Sequence, residues 1–307
     1  MSARPTYRSR ISRSSILVHS LLAFGAGVVW SFGTPAARLA SQADAWQYLI
    51  WRSIGIIVVM ETLAVARRRT SLLVVAWTSG RTMWAANVML LLASLAYVYS
   101  VKNNVAANTA FLASMGPIIA VVMAHFILGE RLTRITLWAV AMAFTGLLVM
   151  LVGDLHGGSL NGNISALLSA VGFAGYAVSI RTDTTRDWSP VLCGYASIMI
   201  VLCGLVTIVN GRTLIPPWSS TGWALFHGAV LIVVGTLFFN QAATQIPAVG
   251  MMVFAQAEMV LAPLWIFFKF DERPKPAVLV GGAIIMTAVV GKAVLDACVQ
   301  RRATTDR

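Results

Sequence analysis

Residues 110–131, AFLASMGPIIAVVMAHFILGER, and residues 252–273, MVFAQAEMVLAPLWIFFKFDER, are two apolar stretches that end in the same Glu-Arg pair. Upstream of them, HSLLAFGAGVVWSFG from His19 is similar to SALLSAVGFAGYAVS from Ser165. Two paired blocks in the same order along a chain indicate an internal repeat. We therefore predict a fold built from two homologous halves.

The composition indicates that lipid, rather than water, is the main solvent of this chain. Of its 307 residues, 58% are hydrophobic and 11% are charged, and the mean hydropathy is +0.78. A soluble globular domain carries roughly 25% charged residues. The apolar runs are so closely spaced that no stretch over ~30 residues remains for a soluble core. We predict an all-α integral membrane protein.

Charge clusters and Gly, Pro and Asn residues divide the apolar sequence into ten candidate transmembrane helices. Each is long enough to cross ~30 Å of hydrocarbon at ~1.5 Å per residue, and a helix satisfies its backbone hydrogen bonds internally. The predicted spans are residues 16–38, 44–66, 80–100, 105–128, 134–153, 163–182, 189–210, 221–242, 247–269 and 276–297.

The distribution of Lys and Arg predicts the orientation of the spans. Fifteen of these residues fall in the termini and in the loops on the same side, whereas six fall in the alternate loops. Cytoplasmic loops carry the excess of positive charge, so both termini are predicted to be cytoplasmic, in a cell membrane such as a bacterial inner membrane. The basic residues that give the net charge of +12 therefore lie at helix ends, and no nucleic-acid partner is expected.

The polar turn HGGSLNGN, which begins at His156, separates two sets of five spans. Because five is an odd number, two homologous halves must have opposite orientations in the membrane, which is the inverted-repeat architecture of many secondary transporters. The predicted divisions are a cytoplasmic basic tail at 1–15, a first repeat at 16–153, a linker at 154–162, an inverted second repeat at 163–297 and a cytoplasmic tail at 298–307.

With these features the chain resembles the EamA family of the drug/metabolite transporter (DMT) superfamily. The resemblance extends over nearly all of residues 16–297, and the second half reads FDER where the first half reads LGER. The residues that carry it are Trp51-Arg52 in the second span, Pro117, the LGERL stretch at 128–132, Gly146 in the fifth span and the DER stretch at 271–273.

The resemblance implies ten transmembrane helices in two inverted five-helix repeats around a central cavity. It further implies a secondary transporter, or permease, that moves small metabolites by alternating access, often as an exporter. The expected partners are the lipid bilayer, a small-molecule substrate and, as a candidate coupling ion, protons. No cofactor is expected, because no glycine-rich stretch has the strand-turn-helix setting of a nucleotide-binding loop.

Glu258 is the first candidate for the substrate path, because it lies near the middle of the predicted ninth span. An ionised carboxylate there costs several kcal/mol unless it is paired, hydrated or protonated, and such a group usually faces the bundle interior or a water-filled cavity. Glu258 could bind an amino group or exchange a proton, or it could tie helices together. Gln256 is separated from it by ~200° around a regular helix, so we expect Gln256 to contact a neighbouring helix.

Arg52 is the second charged candidate, eight residues into the predicted second span. Its guanidinium could hold a substrate carboxylate through two hydrogen bonds, or it could reach back to the membrane interface as an anchor. A cavity that offers both Arg52 and Glu258 would suit a zwitterion, so amino acids or related solutes are the expected substrates.

Five uncharged residues complete the candidate set. Trp30 and Tyr176 occupy matching positions in the two halves and could form walls of the cavity, or they could be packing residues. Asn87, Asn108 and Asn240 lie within apolar runs and could hydrogen-bond to a solute or to a neighbouring helix.

Two alternative functions are open at this stage. A membrane-embedded, metal-dependent enzyme could use Asp183 and Asp187, whose DxxxD spacing could hold Mg²⁺, although a solvated loop of mixed charge accounts for the same residues. A non-transporting structural membrane protein is the other alternative. The three cysteines lie in apolar runs without metal-ligand spacing, and no metal site or catalytic residue is predicted.

Overall fold

The structure is a computed structural model of the chain, and it describes residues 13–104, 109, 112–130, 133–150, 159–271 and 276–305. All regular structure in these residues is helical. In chain order the α-helices are α1 (Arg13–Ser31), α2 (Gly33–Leu39), α3 (Ala45–Ala66), α4 (Leu72–Thr78), α5 (Arg81–Asn103), α6 (Gly116–Met123), α7 (Arg134–Met150), α8 (Leu160–Arg181), α9 (Pro190–Val209), α10 (Trp218–Phe226), α11 (Val233–Ala242), α12 (Ala248–Ala255), α13 (Ala257–Phe270) and α14 (Pro276–Thr305). Two π-helical segments, Ala124–Leu128 and His227–Ile232, continue α6 and join α10 to α11.

Seven helical segments in the described residues are long and apolar enough to cross a membrane. Three shorter apolar helices, Gly116–Leu128, Arg134–Val149 and Leu279–Leu295, stand where the fourth, fifth and tenth spans are predicted. The prediction of an all-helical membrane protein is confirmed. The prediction of ten full-length spans is not confirmed, because three of the ten helices are shorter than a span within the described residues.

The fourth and ninth predicted spans each contain a local break in the α-helical pattern, although Ala248–Phe270 remains one apolar helical segment long enough to cross a membrane. Ser114 and Met115 form a turn before α6, and Gln256 separates α12 from α13. The backbone N–H groups of Met115 and Gln256 bond three residues back, to Leu112 and Val253, at 3.2 Å each. Such tight i→i−3 bonds replace the α-helical pattern locally and mark a break in the helix.

Helix α4 lies in what is predicted to be a loop between the second and third spans. The Ser71 side chain caps its start by accepting a bond from the Val74 N–H at 3.4 Å, and Glu61 accepts from the Leu73 N–H at 2.6 Å. Leu72 is buried. Hydropathy does not find this helix, because its seven residues are too few to span a bilayer.

The backbone supports the internal repeat where the two halves differ in sequence. Gly129 and Asp271 are 142 positions apart, as are the two quoted stretches, and both have left-handed backbone conformations with φ of 63° and 55°. Glycine adopts this conformation without steric cost, and Asp is one of the few other residues that tolerate it. The change from LGER to FDER therefore preserves the chain path at the end of the helix.

The helix packing follows the same repeat. Helix α5 packs along α8, and α1 packs along α11; α3 packs against α9, and α7 against α14. In the repeat, α1 corresponds to α8, α3 to α9, α5 to α11 and α7 to α14. Replacing each helix by its counterpart gives the same four pairs. The two halves therefore form one interlocked bundle rather than two separate domains.

Alternate turns gather at opposite ends of the bundle. At one end, here called the arginine-rich end, Glu130 pairs with Arg181 at 3.2 Å, and Asp187 pairs with Arg69 at 3.3 Å. At the other end, here called the distal end, Asp44, Lys102, Asn210 and Arg212 lie around one cleft, with Arg212 paired to Asp44 at 2.7 Å. This alternation is expected of helices that cross a bilayer back and forth.

Candidate functional site

Arg52 lies inside the bundle rather than at a lipid-facing surface. Helix α3 begins after Asp44, whose side chain accepts the Gln47 N–H at 2.8 Å, so Arg52 stands about two turns into the helix. Its side chain is 3% exposed, and its guanidinium donates a hydrogen bond to Ser94 Oγ on α5. Its Nε atom is buried and has no partner among the described residues. Reaching to the membrane interface does not fit this position.

No carboxylate of the described residues forms an ion pair with Arg52. Asp44, Glu130 and Asp187 pair with Arg212, Arg181 and Arg69, respectively. A buried cation without a counterion is costly, and within a membrane such a residue usually marks a substrate or ion pathway. Arg52 is therefore a candidate to bind an anionic group.

Tyr48 and His227 lie beside Arg52 and were not identified as candidates from the sequence. Tyr48, one turn before Arg52 and 0% exposed, hydrogen-bonds through its hydroxyl to His227 Nδ1. His227 is the first residue of a π-helical segment, a feature that occurs frequently at functional sites. Tyr195 on α9 also lies within electrostatic range of the Arg52 guanidinium. The cluster thus draws on α3, α5, α9 and the π-helical segment.

Glycine at position 228 allows the backbone of α3 to approach the π-helical segment. A Cβ atom on Gly228 would overlap the carbonyl oxygen of Arg52. Glycine is the only residue without a Cβ, so this close approach depends on it. The contact fixes the position of Arg52 relative to His227.

Glu258 lies in the first turn of α13, directly after the break at Gln256, and is partly buried. No described residue hydrogen-bonds to its carboxylate or forms an ion pair with it. It lies within electrostatic range of Tyr97 on α5. Glu258 is therefore a second ionisable group, partly buried, without a partner of opposite sign in the described structure.

Arg52 and Glu258 lie on different helices, and each interacts with α5. Arg52 bonds to Ser94, and Glu258 lies within electrostatic range of Tyr97, three residues further along. Residues three apart on a helix lie on one face, ~5 Å apart along its axis. Ser94 and Tyr97 therefore lie on the same face of α5.

Gln256 joins the two interrupted spans. Its side-chain amide donates to the carbonyl oxygen of Ser114 at 3.4 Å. Gln256 therefore contacts a neighbouring helical segment, as predicted, although the helix break removes the regular geometry on which that prediction relied.

Trp30, Tyr176 and Asn240 belong to one cluster. The Trp30 ring lies 5.6 Å from Phe173 and 5.5 Å from Phe239, between ring centroids. Tyr176, 0% exposed, donates a hydrogen bond to Asn240 Oδ1. The two positions that match across the repeat thus meet in a packed aromatic cluster between α1, α8 and α11.

The remaining candidates lie elsewhere. Asn87 is buried and donates to the Ala76 carbonyl at 3.2 Å, which ties α5 to α4. Asn108 lies outside the described residues. Lys292 on α14 was overlooked in the sequence, although it is an intramembrane cation that is 3% exposed; it donates to Thr136 Oγ1 at 3.2 Å.

Asp183 and Asp187 each have partners within their own loop or on a neighbouring turn. Asp183 accepts from the Thr185 hydroxyl at 2.7 Å and the Thr185 N–H at 3.0 Å, and these bonds lower the pKa of its carboxyl. Asp187 accepts from the Ser189 N–H at 2.9 Å and pairs with Arg69. Within the described residues, no group of three or more His, Cys, Asp or Glu side chains is arranged to hold a metal ion.

Comparison with known proteins adds relatives that transport solutes. The chain is 24% identical over 195 residues to the pseudopaline exporter CntI of Pseudomonas aeruginosa, covering 63% of this chain and 68% of that protein. It is 24% identical over 214 residues to an uncharacterized transporter of Archaeoglobus fulgidus, covering 68% and 75%. A solved crystal structure with a TM-score of 0.76 and 20% identity, which covers 95% of this chain and 99% of its own, has the same fold.

A family model also matches most of the chain. The model described as the EamA-like transporter family matches the chain twice, at residues 18–152 and 160–292. The two matches coincide with the two halves of the repeat and together cover most of the sequence. The chain belongs to the EamA-like transporter family.

Proposed function

We propose that this protein is a secondary transporter that exports a small zwitterionic metabolite, an amino acid or a related solute, by alternating access. In this proposal ten spans form two inverted repeats, with both termini and the arginine-rich end on the cytoplasmic side. The self-consistent packing of the two halves and the alternation of charged turns support this topology.

The observation that carries the proposal is the buried guanidinium of Arg52, which has no carboxylate partner among the described residues. A planar guanidinium binds a carboxylate through two charge-assisted hydrogen bonds. One free edge of Arg52 is available for this, because Ser94 accepts from one terminal nitrogen only and Nε has no partner. The solute carboxylate would supply the missing negative charge.

Glu258 supplies the second pole of the proposed site. Its carboxyl group lies within electrostatic range of Tyr97, which is on the face of α5 that also carries Ser94. A solute with an ammonium group could place that group against Glu258 while its carboxylate binds Arg52. In the absence of solute, Glu258 could take up a proton, which would couple transport to a pH gradient.

Export is proposed because one relative carries the name of an exporter. Alternating access requires elements that change position, and the two interrupted spans meet at the Gln256–Ser114 contact. Broken helices near the membrane midplane are typical of secondary transporters, in which they border the substrate site.

The proposal is tested by efflux from proteoliposomes loaded with labelled amino acids, related zwitterions, pseudopaline and neutral metabolites. Wild type is compared with Glu258→Gln, with and without a pH gradient. We expect efflux of one zwitterionic class by wild type, and loss of its response to the pH gradient in the variant. Efflux of neutral solutes alone would overturn the assignment of a zwitterion. Absence of efflux of any solute from correctly inserted protein would contradict a transport function.

A further inference from the structure

A polar cleft opens at the distal end of the bundle. Its volume is about 440 Å³, within the range of small-molecule sites. The cleft lies between the ends of α3, α5 and α9, and its lining includes Asp44, Trp46, Tyr99, Lys102, Asn210 and Arg212. Trp46 and Tyr99 face each other with ring centroids 5.9 Å apart and provide an apolar wall.

The two cations of the cleft differ in their partners. Arg212 is paired with Asp44 at 2.7 Å, so this arginine and this carboxylate neutralise each other. Lys102 is half-buried, donates to the Ala43 carbonyl at 3.1 Å, and has no carboxylate partner among the described residues. The cleft therefore has one positive charge that is not neutralised by an ion pair.

Tyr48 lies between this positive charge and Arg52. The ammonium of Lys102 lies over the Tyr48 ring, 5.9 Å from its centroid. The hydroxyl of the same ring bonds to His227, beside Arg52. One fully buried side chain thus separates a cation in the open cleft from a cation in the closed interior.

We propose that this cleft is a second binding station for the carboxylate of the transported solute. Lys102 holds the carboxylate there, and Tyr48 separates this station from Arg52 while its hydroxyl is bonded to His227. The inference rests on the proposed role of Arg52. It adds a site and a residue that act before or after the Arg52 step, on the distal side of the bundle.

The charge of the cleft is tested with thiol reagents rather than with a solute. Asn210 is exposed on the cleft wall. Asn210→Cys is made in a chain whose native cysteines are replaced by Ala, and the protein is placed in nanodiscs of neutral lipid, where both ends are accessible. The probes are the anionic reagent 2-sulfonatoethyl methanethiosulfonate and its cationic trimethylammonium counterpart.

We expect the anionic reagent to modify Cys at position 210 about fivefold faster than the cationic one, because Lys102 in the same cleft carries a positive charge that is not neutralised by an ion pair. Lys102→Gln should remove this preference, and Lys102→Arg should retain it. Arg81→Gln, which removes an exposed cation at the arginine-rich end, is the matched control and should leave the preference unchanged. Equal rates for the two reagents, or a preference that survives Lys102→Gln, would overturn the inference.

The separation by Tyr48 is tested at Ser94, the hydrogen-bond partner of Arg52. In the same background, Ser94→Cys should react slowly with the anionic reagent. Adding Tyr48→Phe removes the bond to His227 and should raise that rate about fivefold, the equivalent of one lost hydrogen bond. Tyr99→Phe is the same chemical change on the cleft wall and should have no effect. If Tyr48→Phe left the modification rate at position 94 unchanged, the role of Tyr48 as a barrier would be contradicted.

These rates do not depend on any transported solute. If no solute in the efflux panel moved while the reagent preference was present, the proposed function would fail, and only an anion-attracting cleft, not a station for a transported solute, would stand. If solute moved while the reagents reacted equally, the transport function would stand and the station would fail.

Discussion

The side-chain amide of Gln256 donates to the backbone carbonyl of Ser114 at 3.4 Å, and the two residues occupy equivalent positions in the repeat, 142 residues apart. Each lies where its span is interrupted. The two breaks therefore contact each other. In the proposed transport by alternating access, this contact would be a point about which the two halves move.

Gln256→Leu should slow transport while changing stability little. The substitution removes one interhelical hydrogen bond, and such bonds contribute ~0.6 kcal/mol on average in membrane proteins. We expect a reduced efflux rate with an unfolding midpoint close to that of wild type. Gln241→Leu, the same change at an exposed position of α11, is the control and should transport normally. Equal efflux rates for the two variants would contradict a role for the contact in transport.

Arg52→Met should stabilise the protein and abolish transport. The buried guanidinium costs free energy in the empty protein because it has no carboxylate partner among the described residues. Replacing a whole buried ion pair by apolar side chains of similar volume is often neutral or stabilises by about 1–4 kcal/mol, and an unpaired charge has no Coulombic attraction to lose. The measurement is the unfolding midpoint in detergent micelles, together with efflux. An unfolding midpoint several degrees below that of wild type would mean that Arg52 stabilises the fold.

Gly228→Ala should damage both folding and transport. The added Cβ would overlap the Arg52 carbonyl oxygen and push α3 away from the π-helical segment. Overpacking of this kind costs about 1–3 kcal/mol. Gly222→Ala is the control, because a Cβ there meets no atom within 4 Å. Thermal unfolding should separate the two variants; a Gly228→Ala protein as stable as Gly222→Ala would show that the backbone approach is not required.

Asp183→Asn should lower stability at neutral pH without affecting transport. The Thr185 hydroxyl and N–H hold the pKa of Asp183 below its ordinary value, so the ionised group stabilises the folded loop. This contribution is present above the unfolded-state pKa and is lost as the pH falls through the lowered folded-state pKa. The unfolding midpoints of wild type and variant should therefore converge in acid.

The same variant bears on the enzyme alternative. Efflux by wild type and Asp183→Asn should be equal, and a divalent-metal chelator should change neither. If the variant lost activity and added Mg²⁺ restored it, a metal-dependent enzyme that uses the DxxxD sequence would be favoured.

Much of the fold could be predicted because lipid leaves few alternatives. Apolar runs of about twenty residues must form helices that satisfy their own backbone bonds, and the repeat is visible in the paired stretches at 110–131 and 252–273. The breaks at Ser114 and Gln256 could not be predicted, because a polar residue in an apolar run is compatible with either an i→i−4 or an i→i−3 bond. Helix α4 was missed because it is shorter than a span.

The site could be predicted only in part. The cost of charge in a bilayer singles out Arg52 and Glu258, and it would equally have singled out Lys292. The neighbours Tyr48, Ser94 and His227 could not be found this way, because their proximity depends on how α3, α5 and the π-helical segment cross. Spacing along the chain does not reveal contacts between residues such as Tyr48 and His227, which lie 179 positions apart.

The central claim is that Arg52 binds the carboxylate of the transported solute. The most direct test uses the solute found in the efflux panel and its uncharged amide, which differ only at the carboxyl group, with wild type, Arg52→Lys and Arg52→Gln. Wild type should favour the carboxylate by at least about tenfold in kcat/KM, Arg52→Lys should retain part of that preference, and Arg52→Gln should lose it. If Arg52→Gln still favoured the carboxylate as strongly as wild type does, Arg52 would not be its binding partner.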